Sequence, residues 1–141
     1  MTLTIVLACA AALLALAPLA VAIGSSVAAA RLIYGACMIA TAVSLAGALF
    51  HLLTAAPSES LTLPLGIPWL GSHWRIDALS AFFLIVVDLG AFAASLFAIG
   101  YGTHETAPGR VLPFYPAFLA GMSLVTVADD AFTFLLSWEF M

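Results

Sequence analysis

Three long apolar stretches constrain this chain more than any other feature of its sequence. They run from about Leu3 to Ile23, from about Leu32 to Leu53 and from about Ala78 to Gly100. An α-helix needs about 20 mainly apolar residues to cross the hydrocarbon core of a bilayer, and each stretch reaches that length. The sequence therefore predicts a helical integral membrane protein.

The composition excludes most other classes of protein. Hydrophobic residues make up 65% of the chain and charged residues only 7%, whereas roughly a quarter of the residues in a soluble domain are charged. The net charge of -4 comes from a few side chains that are spread along the sequence, so it forms no patch for nucleic acid. The lipid bilayer is the expected environment, and no nucleic-acid partner is expected.

Two further apolar segments follow the three long ones. The segment from about Phe114 to Ala128 is short for a span, but it becomes long enough if the preceding Leu-Pro pair lies at the interface and Pro116 falls in the first turn, where proline is tolerated. The segment from Ala131 to Met141 has about half the length of a span. We expect an all-α, polytopic bundle in one domain over residues 1–141, with four complete transmembrane helices and the start of a fifth.

The connection between the second and third helices differs in character from the rest. Residues Ala56 to Asp77 contain three prolines, two glycines and two tryptophans, and the letters SLTLPL alternate in polarity. This pattern predicts an extended surface loop or a small hairpin on the membrane. Trp69 and Trp74 are then either interface anchors or packing residues.

The three arginines give a weak indication of orientation. With four spans, Arg31 and Arg110 lie in connections on one side of the membrane, and Arg75 lies on the other side. Because basic residues are enriched in cytoplasmic connections, this distribution favours an N-terminus outside the cytoplasm. In that arrangement Asp129 and Asp130 lie outside with the connection after the second helix. These two aspartates also have the position of an N-cap for the fifth helix.

Two carboxylates fall inside predicted helices. Asp88 lies eleven residues beyond Asp77, or ~17 Å along a helix, and Glu139 lies nine residues beyond Asp130, or ~14 Å. Both positions are near the bilayer centre, where a charged acid costs at least ~2.5 kcal/mol to insert. We therefore take Asp88 and Glu139 as candidate proton-translocating residues in one polar layer.

Each candidate has a structural alternative. Glu139 is neutral and merely tolerated in that alternative, and Asp88 is protonated and bonded to a serine across a helix contact. His51, at the end of the second helix, and His104, in the third connection, are expected to be solvated or interfacial residues. Neither is expected to be a ligand or a relay.

No catalytic or cofactor motif is present in the sequence. Cys9 and Cys37 lie inside apolar stretches, and their spacing matches no metal or redox motif. There is no phosphate-binding loop, nucleophile triad or metal cluster. The chain is therefore expected to hold no cofactor and no catalytic centre of its own.

The second half of the chain resembles a known family. WRIDALSAFFLIVVDLGAFAASLFAIGY, followed by ADDAFTFLLSWEFM, is similar to the N-terminal part of the proton-conducting, antiporter-like subunits of respiratory complex I and its relatives. Those subunits share an FRxDxLSxxF opening to the third helix and a WE pair on the fifth. Within the family, the segment from GYGTHETAPGR to the end is most similar to hydrogenase-4 component B and the corresponding formate hydrogenlyase membrane subunit.

The resemblance implies a longer protein of some fourteen or more helices, built from two inverted five-helix repeats with broken helices. It implies that Glu139 pairs with a lysine two helices further on, and that switching of this pair drives protons. The present chain has no lysine, so we expect an N-terminal fragment that does not pump alone. The implied partners are the other membrane and peripheral subunits of a hydrogenase or complex I-like assembly, which carry the redox centres.

Three functions remain open at this point. The first is a non-catalytic, proton-translocating subunit of a hydrogenase or NADH-quinone oxidoreductase-like complex in the bacterial inner membrane. The second is a monovalent cation/proton antiporter subunit of the same fold. The third is a complete small structural or assembly membrane protein with four spans and a re-entrant tail.

Overall fold

A computed structural model describes residues 1–23, 26–66, 69–102 and 111–141 of the chain. Most of these residues are helical, and one small hairpin interrupts the helices. In chain order the elements are α1 (Thr2–Ile23), α2 (Val27–Leu53), β1 (Glu59–Leu63), β2 (Ser72–Ile76), α3 (Ala78–Tyr101), α4 (Phe114–Val127) and α5 (Ala131–Trp138).

The lengths of the helices decide which of them can span a bilayer. Helices α1, α2 and α3 have 22, 27 and 24 residues and are apolar enough to cross a membrane. Helix α4 has 14 residues, or ~21 Å, against a hydrocarbon core of about 30 Å. The described chain thus has three candidate spans and one shorter apolar helix, which is fewer than the four complete spans expected from the sequence.

Polar caps set the starts of α2 and α3. The Ser26 hydroxyl accepts a hydrogen bond of 3.1 Å from the Ala29 amide, so α2 begins earlier than its apolar stretch and contains Arg31. Asp77 and Ser80 form a capping box at α3, in which the Ser80 amide donates to the Asp77 carboxylate and the Asp77 amide donates to the Ser80 hydroxyl.

Two prolines lie within helices. Helix α1 continues through Pro18 to Ile23. Pro116 lies in the first turn of α4, as predicted, where its missing N–H removes no helical hydrogen bond.

Two predicted features lie outside the described residues. The first is the middle of the turn between α1 and α2, at residues 24 and 25. The second is the third connection from residue 103 to residue 110, with His104, Glu105 and Arg110.

The first four helices pack in a ring, in which α1 contacts α2 and α4, and α3 also contacts α2 and α4. Two apolar clusters lie inside this ring. The cluster nearer the hairpin includes Leu3, Val6, Ala48, Ile76, Ala81, Leu84 and Val127. The cluster at the opposite end includes Leu13, Ile33, Cys37, Ala91, Leu112 and Leu119.

The hairpin formed by β1 and β2 is antiparallel, so the extended connection predicted between α2 and α3 is present. Its Glu59 carboxylate accepts hydrogen bonds from the Thr2 amide at 3.1 Å and the Leu3 amide at 3.0 Å, and it pairs with the Met1 ammonium at 2.6 Å. Burial pushes the pKa of Glu59 upward, but these donors outweigh burial and hold the pKa below its usual value. A hairpin carboxylate therefore caps the start of α1.

The opposite strand of the hairpin binds the junction between α4 and α5. The Asp129 amide donates to the His73 carbonyl at 2.9 Å, and Trp74 forms an antiparallel bridge with Ala128. The Arg75 guanidinium donates to the Asp129 carboxylate at 2.7 Å. The N-terminus, the hairpin and the α4–α5 junction therefore lie at one end of the bundle, as the predicted topology requires.

Only one of the two adjacent aspartates caps α5. The Asp130 carboxylate accepts hydrogen bonds from the Thr133 amide at 2.9 Å and from the Thr133 hydroxyl. It also accepts one from the His73 amide at 3.0 Å, so the same carboxylate joins the hairpin to the helix. Burial raises the pKa of Asp130, but these donors together outweigh burial and lower the pKa to about 2. Asp129 pairs with Arg75 instead of capping.

The two hairpin tryptophans have different environments. The Trp69 side chain is 87% exposed, which fits an anchor at the membrane interface. The Trp74 side chain is buried, and its indole N–H donates to the Ser72 hydroxyl at 3.0 Å. Trp74 is therefore a packing residue.

The residues that follow α5 rest on α4 at Gly121. A Cβ atom added to Gly121 would lie 3.0 Å from the Phe140 Cβ, 3.0 Å from the Met141 Cγ and 3.2 Å from the Phe140 backbone carbon. Only glycine allows this approach without movement of the neighbouring backbone. Gly121 therefore fixes the position of the residues that follow α5.

We expect acid to loosen the hairpin from α5. Because the pKa of Asp130 is lowered to about 2, its contribution to stability is complete above the ordinary pKa of an aspartate and is lost as the pH falls towards 2. The check is hydrogen exchange at the His73 amide, corrected for intrinsic rates, which should accelerate severalfold over this range. An Asp130→Asn variant should lose the pH dependence. If the variant kept the same pH dependence as the unmodified chain, Asp130 would not be the group responsible.

We expect Gly121→Ala to displace α5 from α4. The added methyl group meets backbone at the end of α5, and such overpacking costs about 1–3 kcal/mol. Gly90→Ala is the matched control, since a Cβ at Gly90 meets nothing within 4 Å. Thermal unfolding in detergent, together with proteolysis after residue 131, should show loss of stability only for Gly121→Ala. Equal stability of the two variants would show that the contact is unimportant.

Candidate functional site

Asp88 faces the interior of the bundle. The buried positions of α3 follow the helical repeat, so that one stripe faces the neighbouring helices while aromatic and branched residues face outward. Asp88 lies in the middle of this stripe with no exposed surface. The other members of the stripe are Ala81, Leu84, Ala91 and Ser95.

The Asp88 carboxyl group meets two serines from different helices. The Ser123 hydroxyl on α4 donates to Asp88 Oδ1 at 3.4 Å, which is a long hydrogen bond. The Ser44 hydroxyl on α2 faces the same group, yet Ser44 Oγ and Asp88 Oδ2 have no partner that meets hydrogen-bond geometry among the described residues. The carboxyl group is therefore only partly satisfied.

This environment is compatible with both roles that the sequence allowed for Asp88. The hydrogen bond to Ser123 is the inter-helix contact expected of a structural aspartate. The unpartnered oxygen favours a functional role, because leaving a buried acceptor unsatisfied costs about 1–3 kcal/mol. In a purely structural residue, this unsatisfied oxygen would lower the stability of the bundle without any benefit.

Glu139 occupies the residue after α5. Its backbone N–H donates to the Leu135 carbonyl at 3.2 Å, and the residue is exposed. Among the described residues, its carboxylate has no hydrogen bond and no ion pair. The chain therefore presents this group towards whatever surrounds the bundle.

Contacts with helix α4 indicate where the two carboxylates lie relative to each other. Gly121 touches the backbone of Phe140, next to Glu139, and Ser123 bonds Asp88. Two residues along a helix correspond to a rise of ~3 Å and a rotation of ~200°. Asp88 and the end of α5 therefore lie at similar depth but on opposite faces of α4. The two carboxyl groups share no hydrogen bond in the described part of the chain.

His51 is a feature that the sequence reasoning missed. It was expected to be solvated or interfacial, but its side chain is 1% exposed, and neither ring nitrogen has a partner among the described residues. The signal was available in the spacing of Ser44, Ala48 and His51, which places them on one buried face of α2.

A further polar contact lies at the other end of the bundle. The hydroxyl groups of Ser95 on α3 and Tyr115 on α4 share a hydrogen bond of 2.8 Å. The Tyr115 ring also makes an edge contact with the ring of Tyr34 on α2, at 5.1 Å between centroids. These contacts join α2, α3 and α4 on the side of Asp88 away from the hairpin.

The described residues contain no group of three or more histidine, cysteine or acidic side chains placed to hold a metal ion. Cys9 and Cys37 are both free thiols.

Comparison with known proteins finds similarity for only part of the chain. No family model matches it. Over 76 residues, or 53% of its length, the chain is 38% identical to the uncharacterized protein Rv0083 of Mycobacterium tuberculosis strain H37Rv. The same identity and coverage hold for its counterpart MT0090 in strain CDC 1551. The matched segment spans 12% of the length of each relative.

Proposed function

We propose that this chain is the N-terminal part of a proton-translocating membrane subunit of a hydrogenase or NADH-quinone oxidoreductase-like complex. It would be related to hydrogenase-4 component B and would lie in the bacterial inner membrane beside the redox subunits. In this proposal α4 completes a fourth span with its flanking residues, and α5 begins a fifth. The chain would supply no catalytic centre, and Asp88 and Glu139 would be its proton-translocating residues.

The observation that carries the proposal is the position of Asp88. Ionisable side chains within a membrane bundle are costly and usually belong to ion or proton pathways. Asp88 has no exposed surface, lies midway along a 24-residue apolar helix and retains one oxygen without a partner. A carboxyl group in this state is suited to take up and release a proton.

Glu139 has a separate role in the proposal. It is the glutamate of the WE pair on which the family resemblance depends, and its exposed position after α5 leaves its carboxylate available to a cation from a later helix. A nearby ammonium would favour the ionised carboxylate, and withdrawal of that cation would favour the protonated form. Movement of the cation would thus drive proton uptake and release.

The same observations favour a second candidate, a monovalent cation/proton antiporter subunit of the same fold. A buried carboxyl group and a switchable glutamate serve ion exchange equally well. The two functions differ in their partners, because the antiporter would exchange ions in vesicles that lack any redox subunit.

The test is proton transport by the full-length protein in membrane vesicles. We expect Asp88→Asn and Glu139→Gln each to lower the transport rate by about tenfold or more, as removal of a proton-transfer group does, while the complex still assembles. Gly90→Ala is the control, because a Cβ atom at Gly90, two residues from Asp88 on α3, meets nothing within 4 Å and should leave transport unchanged. Unchanged transport in both assembled test variants would refute the proposal.

A further inference from the structure

His51 is the most unusual buried group that the proposed function leaves unused. A neutral imidazole has one donor and one acceptor nitrogen, and both nitrogens of His51 are buried without a partner among the described residues. Each unsatisfied group costs about 1–3 kcal/mol. Because buried water commonly satisfies such groups in proteins, the environment of His51 is suited to bind water.

The unpartnered groups form a series along the contact between α2 and α3. Ser44 and His51 share one face of α2, two helical turns apart, which corresponds to about 10 Å. The Ser44 hydroxyl faces Asp88. His51 Nδ1, His51 Nε2, Ser44 Oγ and Asp88 Oδ2 are all buried without a partner in the described part of the chain.

The series begins at the hairpin end of the bundle. The His51 carbonyl accepts a hydrogen bond from the Ala56 amide at 3.1 Å, at the turn where the chain leaves α2 for the hairpin. The charged groups of the hairpin lie at this same end, including the pair between Arg75 and Asp129. A polar surface therefore stands at one end of the series and a buried carboxyl group at the other.

We propose that His51 and Ser44 line a hydrated passage that leads from the hairpin end of the bundle to Asp88. About three hydrogen-bonded waters bridge a gap of about 10 Å. The imidazole can accept a proton on one nitrogen and release a proton from the other, so that a proton passes with no net change of charge. The passage deepens the proposed function and rests on it for the role of Asp88, but its hydration can be measured separately.

Hydroxyl-radical footprinting of the full-length protein in vesicles tests the hydration. Leu84 lies on the buried stripe of α3 one turn from Asp88, towards the hairpin, while Leu13 lies in the opposite apolar cluster. Both leucines are fully buried, so they are matched in type and exposure. We expect Leu84 to be oxidised severalfold faster than Leu13, because radicals form in water bound beside it.

Variants of His51 complete the test. His51→Phe should remove the fast oxidation of Leu84 and slow proton transport, and His51→Gln should retain the oxidation because its amide still binds water. Equal oxidation of Leu84 and Leu13 in the unmodified protein would overturn the passage.

The two proposals fail in distinguishable ways. If Asp88→Asn stops transport while His51→Phe leaves both oxidation and transport unchanged, the passage is wrong and the proposed function stands. If Leu84 is oxidised rapidly and this depends on His51, but Asp88→Asn and Glu139→Gln both transport normally, the passage stands as a hydration site and the proposed function fails.

Discussion

An ionisable side chain inside a bilayer must face protein rather than lipid, and in this chain that requirement determines how α3 is rotated. With Asp88 turned inward, the small residues Ala81 and Ala91 face the neighbouring helices, and large apolar residues such as Phe97 face outward. The same rotation directs Asp88 towards serines of α2 and α4. The apolar face and the polar interior of the bundle thus depend on one constraint.

The hairpin holds the ends of three helices through charged groups. Glu59 caps α1, Arg75 pairs with Asp129 between α4 and α5, and Asp130 joins α5 to β2. Each of these contacts involves an ionised group and is therefore stronger than a neutral hydrogen bond. Because the hydrophobic effect does not drive helices together within lipid, these polar contacts outside the apolar region are important for the arrangement of the bundle.

Local sequence signals predicted much of this arrangement, and long-range contacts account for most of what they missed. Apolar length predicted α1, α2 and α3, which are the three candidate spans of the described residues, and the fourth complete span that it also predicted is not confirmed. The pairing of Asp129 with Arg75 joins residues far apart in sequence, so it has no local signal. The backbone of Ala128 turns extended to bridge Trp74, which ends α4 at Val127 and likewise has no local signal. His51 was misassigned because a histidine at a helix end is usually solvated, and only the rotation of α2 shows its burial.

Helix α4 also allows the two candidate carboxyl groups to influence each other without contact. They lie at similar depth on its opposite faces, so their separation is on the order of the helix diameter, about 12 Å. Two charges at about 12 Å repel by about 1.4 kcal/mol at an effective dielectric constant of about 20, which corresponds to about tenfold in an equilibrium constant. In the proposed protein, a proton taken up at Glu139 would therefore favour ionisation of Asp88, and the reverse would also hold. Alternating occupancy of the two sites would then follow from electrostatics across α4, without a hydrogen-bonded connection between them.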